Sequence, residues 1–439
     1  MLTPTSLKRT VYNLTIMKAN IAYKYELMPT QEQKRILAQA AGCRRFVVNK
    51  AIELQQTCLE QNLPFLKYTD LASLLVLWKM DDDKVWLRDA PSQALQQGLM
   101  DVSQAFKEFK AGRKGFPKFQ VRNNGDSFRI PQIRPTDWDT ANSRVRIPKA
   151  GFVRFRQSRP IQGKIKQITV SVDCGHWFIS VVTEMDFAND GPRRFGEVGI
   201  DLGIAQTVTL SDGTVFQLDI ESIKKHEARI VVLQKQLSHN KEARQKLASL
   251  GKAQPFDKRN PSRRTKQLKE QIQKHYRCIR NIRQDFMRQT AHTIAQKYGW
   301  VAMENLKLKN MTKSAKGTVE NPGKNVKQKS GLNRSLARVA PYAMRQAIQW
   351  ALFKAGGTLV LVDPRHTSQR CPHCGFTSAE NRPTQAHFGC KQCGFTQNAD
   401  VVGATNVLIK SWTNSVRPSS EFGDKSAAGT VLFFASSAI

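Results

Sequence analysis

The apolar and polar positions of the chain change period several times along its length. Residues 20–28, Asn20-Ile-Ala-Tyr-Lys-Tyr-Glu-Leu-Met28, alternate as a strand does, and Pro29-Thr30-Gln31-Glu32 then reads as a helix start. To about residue 110 the period is helical: Leu37, Ala40, Ala41, Val47, Val48, Ile52 and Leu54 recur at three- and four-residue steps, as do Leu95, Leu99, Val102, Phe106 and Phe109. The densest apolar run, Leu71 to Trp78, reads as helical core material bounded by Lys79 and Asp81-Asp82-Asp83. Gly112-Arg-Lys-Gly-Phe-Pro-Lys118 ends the helices in a basic turn. Period two returns over 119–185, in Phe128 to Ile130, Val145 to Ile147, Val153 to Phe155, Ile165 to Val172 and Trp177 to Val182. Several of these strands alternate apolar residues with Arg or Lys, which predicts a sheet or small barrel with one basic face.

A second domain is expected to open near residue 196. Glu197 to Leu210 reads as a strand, Ser211-Asp212-Gly213 as a hairpin turn, and Thr214 to Leu218 as the returning strand. Residues 221–297 are helical apart from an interruption near 251–261, and their Lys and Arg far outnumber their acids. A strand (Trp300 to Glu304), a Gly/Lys-rich loop (307–331), a helix (Leu332 to Ala355), a strand (Thr358 to Val362), a cysteine cluster and a helix from about 399 complete the order. Residues 1–16 are expected to be an unstructured extension, with Met17 a possible true start, and the Ser-rich tail from 412 to be mobile.

Charge turns this outline toward nucleic acid. Across 439 residues, 69 Lys+Arg face 35 Asp+Glu, a formal charge of +34 with a pI near 10.1. So basic a surface repels itself unless it meets a polyanion. A ribosomal or histone-like binder satisfies composition alone. No stretch approaches the roughly 18 apolar residues of a membrane helix, and the N-terminus lacks a signal-peptide core, so the expected compartment is cytoplasmic. Of the 8 cysteines, Cys43, Cys58, Cys174 and Cys278 are scattered and read as small buried hydrophobes.

The other four form two knuckles, Cys371-Pro-His-Cys374 and Cys390-Lys-Gln-Cys393, each followed by Gly-Phe. A knuckle supplies two thiolates from one tight turn, and two knuckles make a structural zinc ribbon with no open coordination position. His373 and His387 are then surface or nucleic-acid-facing residues. Three carboxylates carry a different signal. Asp201 sits in an apolar strand, where an unpaired charge is costly. Glu304 ends Val301-Ala-Met-Glu304, and Asp400 opens the last helix. Brought together, they would hold two divalent cations, one activating water and one stabilising a leaving 3′ oxygen. Taken singly, Asp400 also reads as a helix-start residue and Glu304 as a surface charge. The strand–hairpin–helix–strand order is typical of ribonuclease H-like folds.

These stretches carry a family resemblance. Ala22-Tyr-Lys-Tyr-Glu-Leu-Met-Pro-Thr-Gln-Glu-Gln33, Arg45-Phe-Val-Val-Asn49, Gly115-Phe-Pro-Lys-Phe119, Gly199-Ile-Asp-Leu-Gly203, Arg283-Gln-Asp-Phe286, Glu304-Asn-Leu306, Leu332-Asn-Arg-Ser335, Thr367-Ser-Gln-Arg-Cys371 and Asp400 occur in this order. Together they span nearly the whole chain, which resembles TnpB, the RNA-guided nuclease encoded by bacterial insertion sequences, and its relatives the compact type V CRISPR effectors. The resemblance implies an α+β multidomain chain: a first wedge strand (17–28), a helical recognition lobe (29–115) and a wedge β-barrel (116–195). A ribonuclease H-like RuvC nuclease follows (196–366 and 398–411), carrying the zinc ribbon as an insert (367–397). By matched position, Asp201, Glu304 and Asp400 would be the RuvC triad holding Mg2+ or Mn2+.

Tyr68 and Gln96 fall where the family's helical lobe approaches a short transposon-adjacent duplex motif, with helical-surface packing as the alternative. Lys118 in the basic turn, and Arg280 and Arg283 on the central helix, are further candidates for nucleic-acid contact. The implied partners are a guide RNA from the transposon end and double-stranded target DNA, with one chain per guide RNA. The loop 307–331, through Lys313, Lys316, Lys324, Lys327 and Lys329, is expected to act as a lid over the site, against a solvated linker as the alternative. Three features depart from the family pattern: Met287-Arg288 after Phe286 where relatives often carry His-Lys, Asp400-Val-Val-Gly-Ala for the commoner Asp-x-Asn-Ala-Ala, and an apparent insertion at 247–262. None removes a metal ligand. The implied activity is RNA-guided DNA cleavage at a single site; the rivals are a nuclease-inactive RNA-guided DNA-binding regulator and a compact type V CRISPR effector.

Overall fold

A computed structural model describes residues 15–122, 125–189, 196–252, 261–414 and 433–435. The extension expected over 1–16 lies outside this set except for its last two residues, as does the tail beyond 414 apart from 433–435. Two compact units divide the chain, one built on residues 18–186 and the other on 187–428.

The first unit opens with β1 (Thr15–Met28) and α1 (Gln31–Glu60). Thr30 starts that helix through a reciprocal cap: its hydroxyl accepts from the Gln33 amide at 3.3 Å, and the Gln33 side-chain oxygen accepts from the Thr30 amide at 3.1 Å. Leu37, Ala40, Ala41, Val47, Val48 and Ile52 form its buried stripe. α2 (Tyr68–Met80), a 3-10 turn (Asp82–Asp89) and α3 (Ser92–Lys110) follow. In α2 only Leu71 and Leu75 are buried, while Val76, Leu77 and Met80 are 52%, 60% and 64% exposed. The run Leu71 to Trp78 is therefore a helix with a one-sided core stripe. It is apolar all round, so its pattern does not say which face is covered.

The strands β2 (Ser127–Ile130), β3 (Trp138–Asp139), β4 (Arg144–Ile147), β5 (Gly151–Arg156), β6 (Lys164–Asp173) and β7 (His176–Asn189) join β1 in the order β2-β6-β7-β1-β5-β4-β3. Residues Phe433–Ala435 add to β1 in parallel. The expected alternation holds: Phe128, Ile130, Val145, Ile147, Val153 and Phe155 are buried, and Arg146, Arg154 and Arg156 are exposed. Each buried side chain contributes about 1.5–3 kcal/mol, and that fixes the pleat and aims the arginines outward.

The second unit holds β8 (Gly196–Asp201), β9 (Val208–Leu210), β10 (Val215–Phe216), α4 (Ile220–Ser249), α5 (Arg263–Lys297) and β11 (Tyr298–Glu304). Then come α6 (Leu308–Met311), α7 (Val326–Val339), α8 (Pro341–Ala355), β12 (Thr358–Val362), β13 (His387–Gly389), β14 (Thr396–Asn398) and α9 (Ala399–Asn414). Its main sheet has the order β10-β9-β8-β11-β12, with β8, β11 and β12 parallel and the β8–β9–β10 meander antiparallel. Val198, Ile200, Val301 and Met303 of the sheet pack with Met287 and Ile294 of α5 and with Met344, Ile348 and Leu352 of α8. A separate cluster joins Ala302 and Val362 to Val407 of α9.

Four expectations change here. The strand expected over Glu197 to Leu210 is two antiparallel strands, β8 and β9, parted at 202–207. The helix expected over Leu332 to Ala355 is two helices, because Pro341 cannot continue α7 and Ala340 turns at φ 49° between them. The loop 307–331 contains α6, a Gly317–Pro322 bridge and the start of α7. Lys329 Nζ donates to the Met311 carbonyl at 2.6 Å and Asn333 Nδ2 to the Thr312 carbonyl at 3.0 Å, so it is a folded excursion. Cys43 and Cys58 are buried as expected, but Cys174 and Cys278 are only half-buried.

Candidate metal centres and nucleic-acid surface

The two cysteine knuckles fold alike. Cys371 N–H donates to the Phe376 carbonyl and Cys390 N–H to the Phe395 carbonyl, both at 2.8 Å. Gly375 and Gly394 close the turns at φ 78° and 73°, where a side chain would be strained. The four sulfurs lie within 4.8 Å of one another, with Cys371 Sγ 3.7 Å from Cys393 Sγ and Cys374 Sγ 3.6 Å from Cys390 Sγ. A tetrahedral zinc with Zn–S near 2.3 Å requires sulfur edges of about 3.8 Å, so this donor set fits zinc. Burial pushes the Cys390 thiol up, but backbone N–H groups of Cys393 and Gln392, together with the Cys374 and Cys393 thiols, outweigh it and bring it down to about 6. His373 and His387 are exposed, and His373 stacks on Phe395 at 6.1 Å.

The carboxylates meet at one end of the second unit's sheet. Asp201 and Glu304 are the last residues of the neighbouring parallel strands β8 and β11, whose register pairs Met303 with Ile200. Asp400 lies in the first turn of α9, and Asn398 caps that helix by accepting from the Asp400 and Val401 amides at 3.0 and 3.3 Å. Helix and strand touch through two glycines. A Cβ on Gly199 of β8 would fall 1.9 Å from the Ala404 carbonyl of α9, and one on Gly403 of α9 would fall 3.2 Å from Asp201 Oδ2. Gly403, which keeps a small residue at this position, thus leaves room beside that oxygen.

Burial, then the charges of Glu304 and Asp400, push Asp201 up to about 7; Arg382 and the Leu202 amide pull it back in part. Burial also raises Glu304, against the hydroxyl of Thr367 and the charge of Lys410. These oxygens are crowded like charges with few donors, an environment that suits a hard divalent cation. Among the described residues, only the four cysteines bring three or more His, Cys, Asp or Glu ligand atoms within 4.8 Å, so the three carboxylates stand further apart than the sulfurs do.

Five residues around this cluster were not singled out from the sequence. Arg382, between the knuckles, reaches Asp400 Oδ1 at 3.1 Å and also donates to the Gln385 carbonyl at 2.6 Å. Its loop is pinned by buried Asn381, whose Nδ2 donates to the Gln369 and Phe376 carbonyls. Thr367 Oγ1 lies 2.6 Å from Glu304 Oε1, Asn406 on α9 holds the Thr367 carbonyl at 2.8 Å, and Lys410 Nζ donates to the Asp363 carbonyl at 3.2 Å. Thr367 stands inside a motif that carried the resemblance, which is the only signal that pointed near it.

The remaining candidates are dispersed. Tyr68 starts α2 half-buried, Gln96 is exposed on α3, and Lys118 is exposed in the loop after it. On α5, Arg280 is exposed, whereas Arg283 is half-buried and donates to the Ala337 carbonyl at the end of α7 at 2.7 Å. Burial lowers Arg283 from the ordinary arginine range. No described helix is long and apolar enough to cross a membrane.

A basic chain with four cysteines placed to hold a metal ion and a carboxylate cluster at the end of a mixed sheet has the features of a nucleic-acid enzyme. Family models narrow this. One described as "Probable transposase" (OrfB, IS605 type) matches residues 180–315, a Cas12f1-like TNB domain matches 342–407, and a helix-turn-helix domain of the same IS605 family matches 17–63. Residues 17–63 here form β1 and the single long helix α1. The chain is 40% identical over 392 residues to "Putative RNA-guided DNA endonuclease InsQ" of Escherichia coli K12, covering 89% of this chain and 92% of that protein. It is 26% identical to a like-named protein of Streptomyces pristinaespiralis, with 88% of each covered. A solved mini RNA-guided endonuclease, CRISPR-Cas phi3, aligns over 92% of this chain and 93% of its own at 11% identity and a TM-score of 0.40. The chain belongs to the TnpB family of IS605-type elements.

Proposed function

We propose that the chain is an RNA-guided DNA endonuclease of a transposable element, cutting DNA beside a short adjacent motif through one RuvC-type site. The observation that carries the reading is the convergence of Asp201, Glu304 and Asp400 from two adjacent strand ends and one helix start, with Asp201 raised to about 7 by burial and by the other two. The sheet order β10-β9-β8-β11-β12, an antiparallel meander continued by parallel strands, supports a ribonuclease H-like domain over 196–366 and 398–411. Under this reading 367–397 is the zinc ribbon, 17–28 and 116–195 are the wedge, and 29–115 is the recognition lobe.

Asp201, Glu304 and Asp400 would hold Mg2+ or Mn2+, which supplies Lewis-acid activation of water and stabilisation of the leaving oxygen. The chain's own residues set the stage for that chemistry. Asp201 binds a proton near neutral pH and must release it before a cation enters. Arg382 neutralises part of the carboxylate charge and holds Asp400 until a phosphate or cation competes for one of them. The exposed arginines of β4 and β5 meet phosphates along a bound duplex, so binding is strongly salt-dependent. Guide RNA pairs with the target strand, while the protein reads heteroduplex shape and the adjacent motif. One chain per guide RNA, acting in the cytoplasm, fits this assignment.

The test is to purify the protein with co-expressed RNA, sequence that RNA, and challenge a plasmid library bearing a randomised flank, with Asp201→Ala as control. We expect a bound guide from the transposon end and guide-directed cuts that Asp201→Ala abolishes. No bound RNA, or cleavage that persists in Asp201→Ala, would overturn the reading.

A further inference from the structure

We infer that Thr367, locked by Asn406, is a positioning residue that presents one oxygen of Glu304 to the metal site; the inference rests on the nuclease reading above. Thr367 is buried, and its hydroxyl lies 2.6 Å from Glu304 Oε1 and 2.9 Å from the Pro364 carbonyl. A hydroxyl has one proton to give. With Glu304 ionised, that proton goes to the carboxylate, and 2.6 Å is the length of a charge-assisted O–H···O bond. Oε1 thereby gives one lone pair to the hydroxyl and the carboxyl plane is fixed, which favours Oε2 as the ligating oxygen.

The hydroxyl can do this only if its own backbone is held. Asn406 is 2% exposed, and its two amide protons go to two carbonyls of one turn: Thr367 at 2.8 Å and Arg370 at 2.7 Å. Asn406 lies on α9 six residues beyond Asp400, about 9 Å along the helix. The helix that supplies one carboxylate therefore also anchors the turn that orients another. The second carbonyl it grips belongs to the residue before Cys371, the first cysteine of the ribbon, so the same amide ties the zinc knuckle to the clamp. A mere space-filling role for Thr367 would be met equally by valine, which has the same shape and no proton.

The experiment uses the full-length chain freed of RNA, titrated with Mn2+ and read by electron paramagnetic resonance, beside Mg2+ titrations of cleavage by the RNA-loaded protein. Thr367→Val should weaken Mn2+ binding by about tenfold or more, the usual effect of losing a hydrogen bond to a metal ligand. It should raise the Mg2+ concentration needed for cleavage in the same direction. Zinc content should stay at the parental value, and Thr367→Ser, which keeps the hydroxyl, should recover most of the affinity. Parental Mn2+ binding by Thr367→Val, or a Thr367→Ser variant as weak as Thr367→Val, would overturn the clamp. The two levels separate cleanly: if Glu304→Ala abolishes cleavage while Thr367→Val behaves as parent, the clamp fails and the nuclease reading stands. If Asp201→Ala and Glu304→Ala both cleave normally, the nuclease reading itself falls.

Discussion

Proton and cation should compete for Asp201, and the structure gives the size of the effect. Its carboxyl is lifted from the ordinary 3.8 to about 7, first by burial and then by Glu304 and Asp400. At about 1.4 kcal/mol per pH unit, the gap is worth on the order of 4 kcal/mol between the protonated and ionised forms. Because the folded chain binds this proton more tightly than the unfolded chain, the associated stability is present below about pH 4 and is lost as pH rises through about 7. In divalent-free buffer this group therefore lowers stability across that window, and an added cation reverses the loss. Binding must expel the proton, so Mn2+ affinity should fall by up to about tenfold per pH unit below 7 and level off above it. Burial also raises Glu304, which can only steepen that limb. The assay is a series of Mn2+ titrations from pH 5 to pH 8. Two variants sharpen it. Asp201→Asn should flatten most of the dependence, and Arg382→Ala, which removes the positive charge that lowers Asp201, should move the break to higher pH. Affinity that is constant from pH 5 to 7 in the parent chain would refute the reasoning, as would a break that moves to lower pH in Arg382→Ala.

The contact between α9 and β8 should tolerate no added methyl at Gly199. A Cβ there would lie 1.9 Å from the Ala404 carbonyl and 2.8 Å from the Leu408 amide, both backbone atoms, so Gly199→Ala must push the helix outward. We expect a stability loss of about 1–3 kcal/mol or more together with weakened Mn2+ binding, and a parental melting curve would count against the packing. Stripping zinc, or Cys390→Ser, should loosen Arg382 and Thr367 together, since the ribbon carries the first and its entry turn the second. Mn2+ binding should then drop although no carboxylate is altered. Elemental analysis reads the zinc, expected at one per chain, and a zinc-free protein with parental Mn2+ affinity would break the link.

What the sequence could and could not reveal follows from the range of each interaction. The Thr30–Gln33 cap is a local event three residues wide, so Pro29-Thr30-Gln31-Glu32 announced α1 at its true start. The arginine alternation in β4 and β5 is set by the pleat, and the burial of the two strands follows it. The knuckles declared themselves because each pair of thiols and its glycine form one turn. The break at Ala340 was also local, and Pro341 could have signalled it, but the apolar period runs on through the junction and masked it. Leu71 to Trp78 failed for the opposite reason: a helix apolar on every side has no phase from which burial can be read.

The site's supporting residues belong to a different class. Thr367 and Glu304 are 63 positions apart, Asn406 and Thr367 39, and Arg382 and Asp400 18. A threonine before a cysteine, an arginine beside a proline and an asparagine inside a helix each have ordinary local explanations, and nothing in their spacing distinguishes them. Only the crossing of α9 over β8, made possible by Gly199 and Gly403, brings them to one place. The ribbon sends Arg382 to Asp400, its entry turn sends Thr367 to Glu304, and α9 holds that turn through Asn406 while supplying Asp400 itself. The carboxylates could be proposed from residue type and element order, since a buried acid at a strand end asks for a partner. Their orientation depends on the cysteine cluster and the last helix closing over the sheet, so a lesion at a cysteine or at Asn406 should act on the proposed metal site as directly as one at an acid.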